Sequence, residues 1–177
     1  SIPDVLAELD SKGATLDMLQ VIAHALPPRE GTWWACLAAR QMFPADADSL
    51  PPSLAAAEAW VLKPNDETRE KARQTMEAAG PGEDTMLCAM AATFANGTLG
   101  PGLLEDYEAP PGAVGCAIFG MALTALYEDD DLVEMRGLQL IESGLDIARG
   151  GNGRVEPDAA SADDATGTGT EGQEPRQ

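Results

Sequence analysis

The chain reads as an all-α protein, a compact bundle of about seven helices. Three observations carry that reading. The apolar fraction, 44%, leans on alanine while aromatics make up only 5%. Alanine is the strongest helix former, and small side chains let helices approach closely. Apolar residues recur at helical spacing between proline- and glycine-marked breaks, and no stretch alternates long enough for a strand. At 177 residues the chain is long enough for one domain with a real core.

A short helix opens the chain, from Pro3 to Asp10. Thr15 is placed to cap "LDMLQVIAHAL", whose apolar face holds Leu16, Leu19, Ile22, Ala23 and Leu26. Pro27-Pro28 stops this helix, because proline lacks the N–H that continues the ladder. The next helix begins between Arg29 and Thr32 and runs through Phe43, and Pro44 breaks it. Ser53 then caps "LAAAEAWVLK", which ends at Lys63-Pro64. Asn65 or Asp66 caps "ETREKARQTMEAAG", with Gly80 as its stop. On the solvent side, Glu67 is spaced to pair with Lys71, and Glu70 with Arg73 or Gln74. A nearly apolar helix, "EDTMLCAMAATFANG", closes at Asn96-Gly97. Residues 98–112 form a turn-rich connector broken by proline and glycine. Ala113 to Tyr127 is apolar throughout but short of the roughly 20 residues that cross a bilayer, so it reads as a buried helix. The last helix carries Leu132, Met135, Leu138, Ile141, Leu145 and Ile147 as its apolar set and stops at Gly150-Gly151.

Residues 1–150 therefore form the expected helical domain. Residues 151–177 contain a single valine and no other large apolar side chain, the composition of a disordered acidic tail. The tail has six acids against two bases, so -15 of the net charge of -19 belongs to the domain. Glu105, Asp106 and Glu108 form one acidic cluster and Glu128 to Asp131 another.

That charge excludes whole classes of function. Nucleic acid and anionic membranes attract proteins through Lys and Arg, which number only 11 here. A basic protein is the partner such a surface attracts. Cys36, Cys88 and Cys116 are too scattered for a disulfide framework and read as buried apolar thiols, consistent with a cytoplasmic setting. No leader with a long apolar core precedes the first helix.

Candidate chemistry is sparse. His24, the only histidine, lies on a polar helix face with Asp17 two turns away, too far to orient it as a base. One histidine and three separated cysteines do not make a zinc site. The acids 128–131 lack the spacing of a calcium loop and suit a helix cap. Gly167 to Gly172 fits the letters of a dinucleotide-binding fingerprint without the strand and helix that give it meaning. No cofactor or metal is expected, and the reading is non-catalytic.

The aromatic residues offer more. Trp33 and Trp34 are adjacent on one helix, about 100° apart, so both cannot face one core. One anchors the bundle and the other lies at an edge. The edge tryptophan, with Trp60 and the nearby Arg40, forms the expected partner-binding patch. The alternatives are a ligand-binding protein or enzyme with a pocket among the helices near Arg40, Glu58 or Glu134, and a structural homo-oligomer.

Three stretches, "ALPPREGTWWACLAAR" from Ala25, "AAAEAWVLKPNDETREKA" from Ala55 and "GLDIARG" from Gly144, resemble a poorly characterised helical family of proteobacterial proteins associated with type VI secretion gene clusters. The resemblance runs in patches from Ala23 to Gly150. It implies an adaptor or chaperone beside the secretion machinery or its cargo. It carries no catalytic residues.

Overall fold

The computed structural model describes residues 1–44 and 49–154. The described chain is all-α: eight helices, with two single 3-10 turns, and one isolated backbone bridge between Thr98 and Glu108. The helices are α1 (Ile2–Ser11), α2 (Thr15–Ala25), α3 (Pro28–Arg40), α4 (Pro52–Leu62), α5 (Asp66–Ala78), α6 (Met86–Phe94), α7 (Ala113–Leu126) and α8 (Val133–Ala148). Eight helices meet the expectation of about seven, and every helix placed from the sequence is present, the short opening one included.

Helix starts show how the sequence sets the boundaries. Pro28 and Pro52 sit in the first turns of α3 and α4, where the N–H that proline lacks would have no helical partner. The same Pro27-Pro28 pair thus ends α2 and begins α3. Ser53 does not cap α4 as expected. It is buried as the second residue of the helix, and its hydroxyl donates to Glu83 Oε1 at 2.7 Å. Asn65 does cap α5, accepting the Thr68 N–H at 2.9 Å. Asp129 caps the turn before α8 through the Asp131 N–H. Arg29, in the first turn of α3, donates to the Val61 carbonyl at 2.7 Å and so ties down the end of α4.

The apolar α7 is central and packs against α2, α3, α6 and α8. The alanine-rich α3 lies beside it and also touches α4, α6 and α8. Alanine and glycine at these crossings bring the backbones close: a methyl group on Gly31 would lie 2.6 Å from Ile118 Cδ1. By contrast α1 has no buried residue and rests on α2.

The face that α8 turns inward differs from the one its large apolar residues suggest. Gly137, Leu140, Ile141, Gly144 and Ile147 are buried, while Met135 and Leu138 are exposed. Two glycines replace large side chains at the contact, and a periodicity count over apolar residues does not register them. Leu16 is likewise exposed, and Met18 takes its place in the α2 face.

The fold also runs past the expected boundary at residue 150. Asp146 accepts the N–H of Gly151 through its backbone carbonyl and that of Gly153 through Oδ2. Gly153 is buried, and a side chain there would collide with Ile147 and Leu37. These contacts extend the domain to Arg154. The remaining tail, 155–177, lies outside the described residues.

Candidate functional site

The four residues expected to meet a partner do not converge. Trp34 is fully buried, and its indole N–H donates to the Leu140 carbonyl at 3.0 Å. Trp60 is also in the core. Neither can touch another protein while the domain is folded, because both indoles are used up in packing. Arg40 forms a two-pronged ion pair with Glu58, Nη2 to Oε2 at 2.7 Å, that joins α3 to α4. Two mutually satisfied charges leave little for a visitor. Trp33 is the edge tryptophan. Its N–H donates to the Asn152 carbonyl at 2.8 Å, and the Arg154 guanidinium lies over its ring at 5.7 Å. The ring thus holds the C-terminal strap, residues 149–154. Its free edge lines a shallow groove of about 210 Å³ with Val61, Ile147 and the exposed Leu62.

A stronger surface feature lies in the connector between α6 and α7. This segment is built, not slack. The Leu99 N–H donates to the Tyr107 carbonyl at 2.9 Å, and the Ala109 N–H to the Gly97 carbonyl at 2.9 Å, so its two arms face each other like a small hairpin. Inside, Gly102 to Leu104 make one 3-10 turn. Gly97, Gly102 and Gly112 adopt φ of 78°, 66° and 77°, conformations that cost other residues strain.

Arg69 fixes the base of this loop. Its side chain passes from α5 into the core, where the residue is 1% exposed. Nε donates to the Thr93 carbonyl at 2.7 Å, and Nη2 to Thr98 Oγ1 at 2.6 Å. No carboxylate among the described residues lies within ion-pairing distance of it. Burial pulls its pKa below the ordinary arginine value, opposed by the fields of Glu105 and Asp66. A cation placed in the interior on carbonyl and hydroxyl acceptors costs free energy. Here that cost goes into holding one loop in one shape.

What the loop presents is apolar. Leu103 is 88% exposed and Tyr107 60%, and Glu105, Asp106 and Glu108 between and beside them are exposed too. The signal in the sequence is three leucines, Leu99, Leu103 and Leu104, and Tyr107 set among turn-forming residues, where a solvated loop needs none of them.

The other candidates resolve as follows. His24 is exposed on α2, its Nδ1 2.9 Å from the Gln20 carbonyl oxygen, and its ring lies against Gly115 of α7. Its Nε2 is 3.9 Å from Sγ of Cys116. Cys116 is exposed, contrary to the expectation that all three thiols are buried, because it lies at the outer edge of the α2–α7 contact beside the exposed His24. Cys36 and Cys88 are buried, and the Cys88 thiol together with burial pushes Cys36 well above the usual thiol range. Such a thiol is inert as a nucleophile. Among the described residues no three His, Cys, Asp or Glu side chains gather as metal ligands, and no helix is long and apolar enough to cross a membrane.

No curated protein and no solved structure matches the chain. A family model does, over residues 5–148, and its description is a family of unknown function, DUF6931. The chain belongs to that family, and the match covers α2 to α8 whole and α1 from Val5 onward.

Proposed function

We propose that this member of a family of unknown function is a non-catalytic protein-binding module, and that the 95–112 loop is its contact surface. One observation carries the reading: Leu103 and Tyr107 are held out in water on a loop that a buried, unpaired arginine pins in place. Rigid exposed apolar side chains contribute nothing to the isolated domain and suit a partner's pocket, since their ordering entropy is already spent before binding. The acids around them favour a partner whose pocket is rimmed by Lys or Arg, and the net charge of -19 favours its approach.

The resemblance to helical proteins of type VI secretion gene clusters supports a narrower role, that of an adaptor or chaperone for secretion cargo or for a component of the machine. A photocrosslinker placed at position 103, with one at the exposed Glu8 of α1 as control, tests both levels. A discrete adduct from position 103 with a different protein, weakened by added salt, is the expected result. The identity of that protein decides the narrower role. An adduct pattern shared with position 8, or no adduct, removes the loop as a contact surface. An adduct with a second copy of the chain replaces the reading with a homo-oligomer.

A further inference from the structure

The chain carries 30 acids against 11 Lys and Arg, yet two arginines line one cleft without a carboxylate partner among the described residues. The cleft lies between the end of α3, the outer face of α8 and the C-terminal strap, and has a volume of about 390 Å³. Gln41, Arg136, Gln139, Ser143 and Arg154 supply its polar groups. Arg136 donates through Nη1 to the Ala125 carbonyl at 3.2 Å, which fixes the side chain and leaves its other donors free. Arg154 is steadied over the Trp33 ring and by its own backbone N–H, which donates to Asn152 Oδ1 at 2.9 Å. Neither guanidinium is within ion-pairing distance of an acid among the described residues. Ser143, which also lines the cleft, is 6% exposed, and its hydroxyl has no hydrogen-bond partner among the described residues.

A second cleft, of about 650 Å³, opens directly beside the first and shares Gln41 and Arg136 with it. Its remaining polar wall is Glu128, Asp129, Asp130 and Asp131, all exposed. Two adjoining hollows thus carry opposite charge, with Arg136 and Gln41 at the seam.

We propose that this double cleft binds a small zwitterion, with its carboxylate on Arg136 and Arg154 and its ammonium group toward Glu128–Asp131. A guanidinium offers a planar fork of donors that matches a carboxylate. Gln41 and Gln139 add neutral donors, and the Ser143 hydroxyl gains a partner. A simple anion fits less well, because it meets the four acids across the seam and the repulsion of a strongly acidic chain. A simple cation meets the two arginines. A molecule with both charges satisfies both walls. This site is independent of the 95–112 loop, and either can fail without the other.

Chemical-shift mapping on the full chain tests it with glycine, 4-aminobutyrate and 6-aminohexanoate as probes, against butyrate, butylammonium and inorganic phosphate. One zwitterion is expected to bind about tenfold more tightly than any singly charged probe or phosphate, the worth of one charge-assisted hydrogen bond. Amide shifts are expected at Gln41, Gln139 and Gly153. Arg136→Gln and the exposed pair Asp130→Asn with Asp131→Asn are each expected to erase that advantage, the second without disturbing the strap. Butyrate or phosphate binding as tightly as every zwitterion would overturn the proposal, and so would shifts that ignore the Asp130/Asp131 pair. The absence of shifts at these residues with all probes overturns it as well. Thermal unfolding of each variant distinguishes lost binding from lost structure.

Discussion

Gly144 sets α8 directly against the core. A methyl group there would stand 2.7 Å from Ile22 Cγ2 and 3.2 Å from Trp34 Cε2. The missing side chain is what lets the Trp34 indole reach the Leu140 carbonyl one turn earlier on the same helix. Gly144→Ala is therefore expected to destabilise the domain by about 1–3 kcal/mol, the usual cost of overpacking, seen as a lower Tm and a shift in tryptophan emission. An unchanged Tm would mean that α8 does not sit as close as described. Glu70 gives a prediction in pH. Its carboxylate accepts from Nε and Nη2 of Arg73, both at 2.8 Å, and from Gln74 at 3.0 Å. Those donors lower its pKa from 4.5 to about 2. A carboxylate depressed in the folded state stabilises it while ionised, so the contribution is complete above pH 4.5 and is lost as pH falls toward 2. The pair is partly exposed and solvent-screened, so its worth is under about 1 kcal/mol. Acid titration by circular dichroism should show a shallower loss over that range in Glu70→Gln than in the wild type. The Glu70–Arg73 pairing was legible from spacing alone, because three residues is about one helical turn. Gly144 was not, because a residue without a side chain leaves no mark in an apolar pattern, and its partners are 110 and 122 positions away.

The helices were legible as elements because proline marks their edges so plainly. What the sequence hid was the order inside the 95–112 connector. Its proline and glycine content reads as irregular, which is right for the backbone pattern and wrong about rigidity. The rigidity comes from Arg69, whose place in a charged, solvent-facing stretch of α5 conceals that it points inward. Arg69→Met keeps much of the side chain's bulk and removes every donor. It is expected to speed hydrogen exchange at the Leu99 and Ala109 amides, which bond across the loop, while Leu103→Ser leaves those rates unchanged. Equal protection in both variants would show that the backbone bonds suffice without the arginine. For α5 itself, Asn65→Ala removes the cap on Thr68 and should cost about 1 kcal/mol in urea unfolding.

At the scale of the whole molecule, the C-terminal strap closes the bundle by returning residues 149–154 to the second turn of α3, Asn152 bonding Trp33 119 positions earlier. Contacts of that separation cannot be read from local composition, and composition alone places the end of the domain at Gly150. A chain ended at Ala148 is expected to melt below one ended at Arg154, and its Trp33 emission should move to the red as the ring loses its cover. Matching Tm values for the two would reduce the strap to a passive coat. The three cysteines offer a different kind of handle. With Cys36 and Cys88 enclosed and Cys116 at the surface beside His24, the native protein has one thiol within reach of an alkylating reagent and the denatured chain has three. A dye or spin label can therefore be attached at a single defined point of the unmutated protein, on the helix that touches most of its neighbours, and it will report on any movement between α2 and α7.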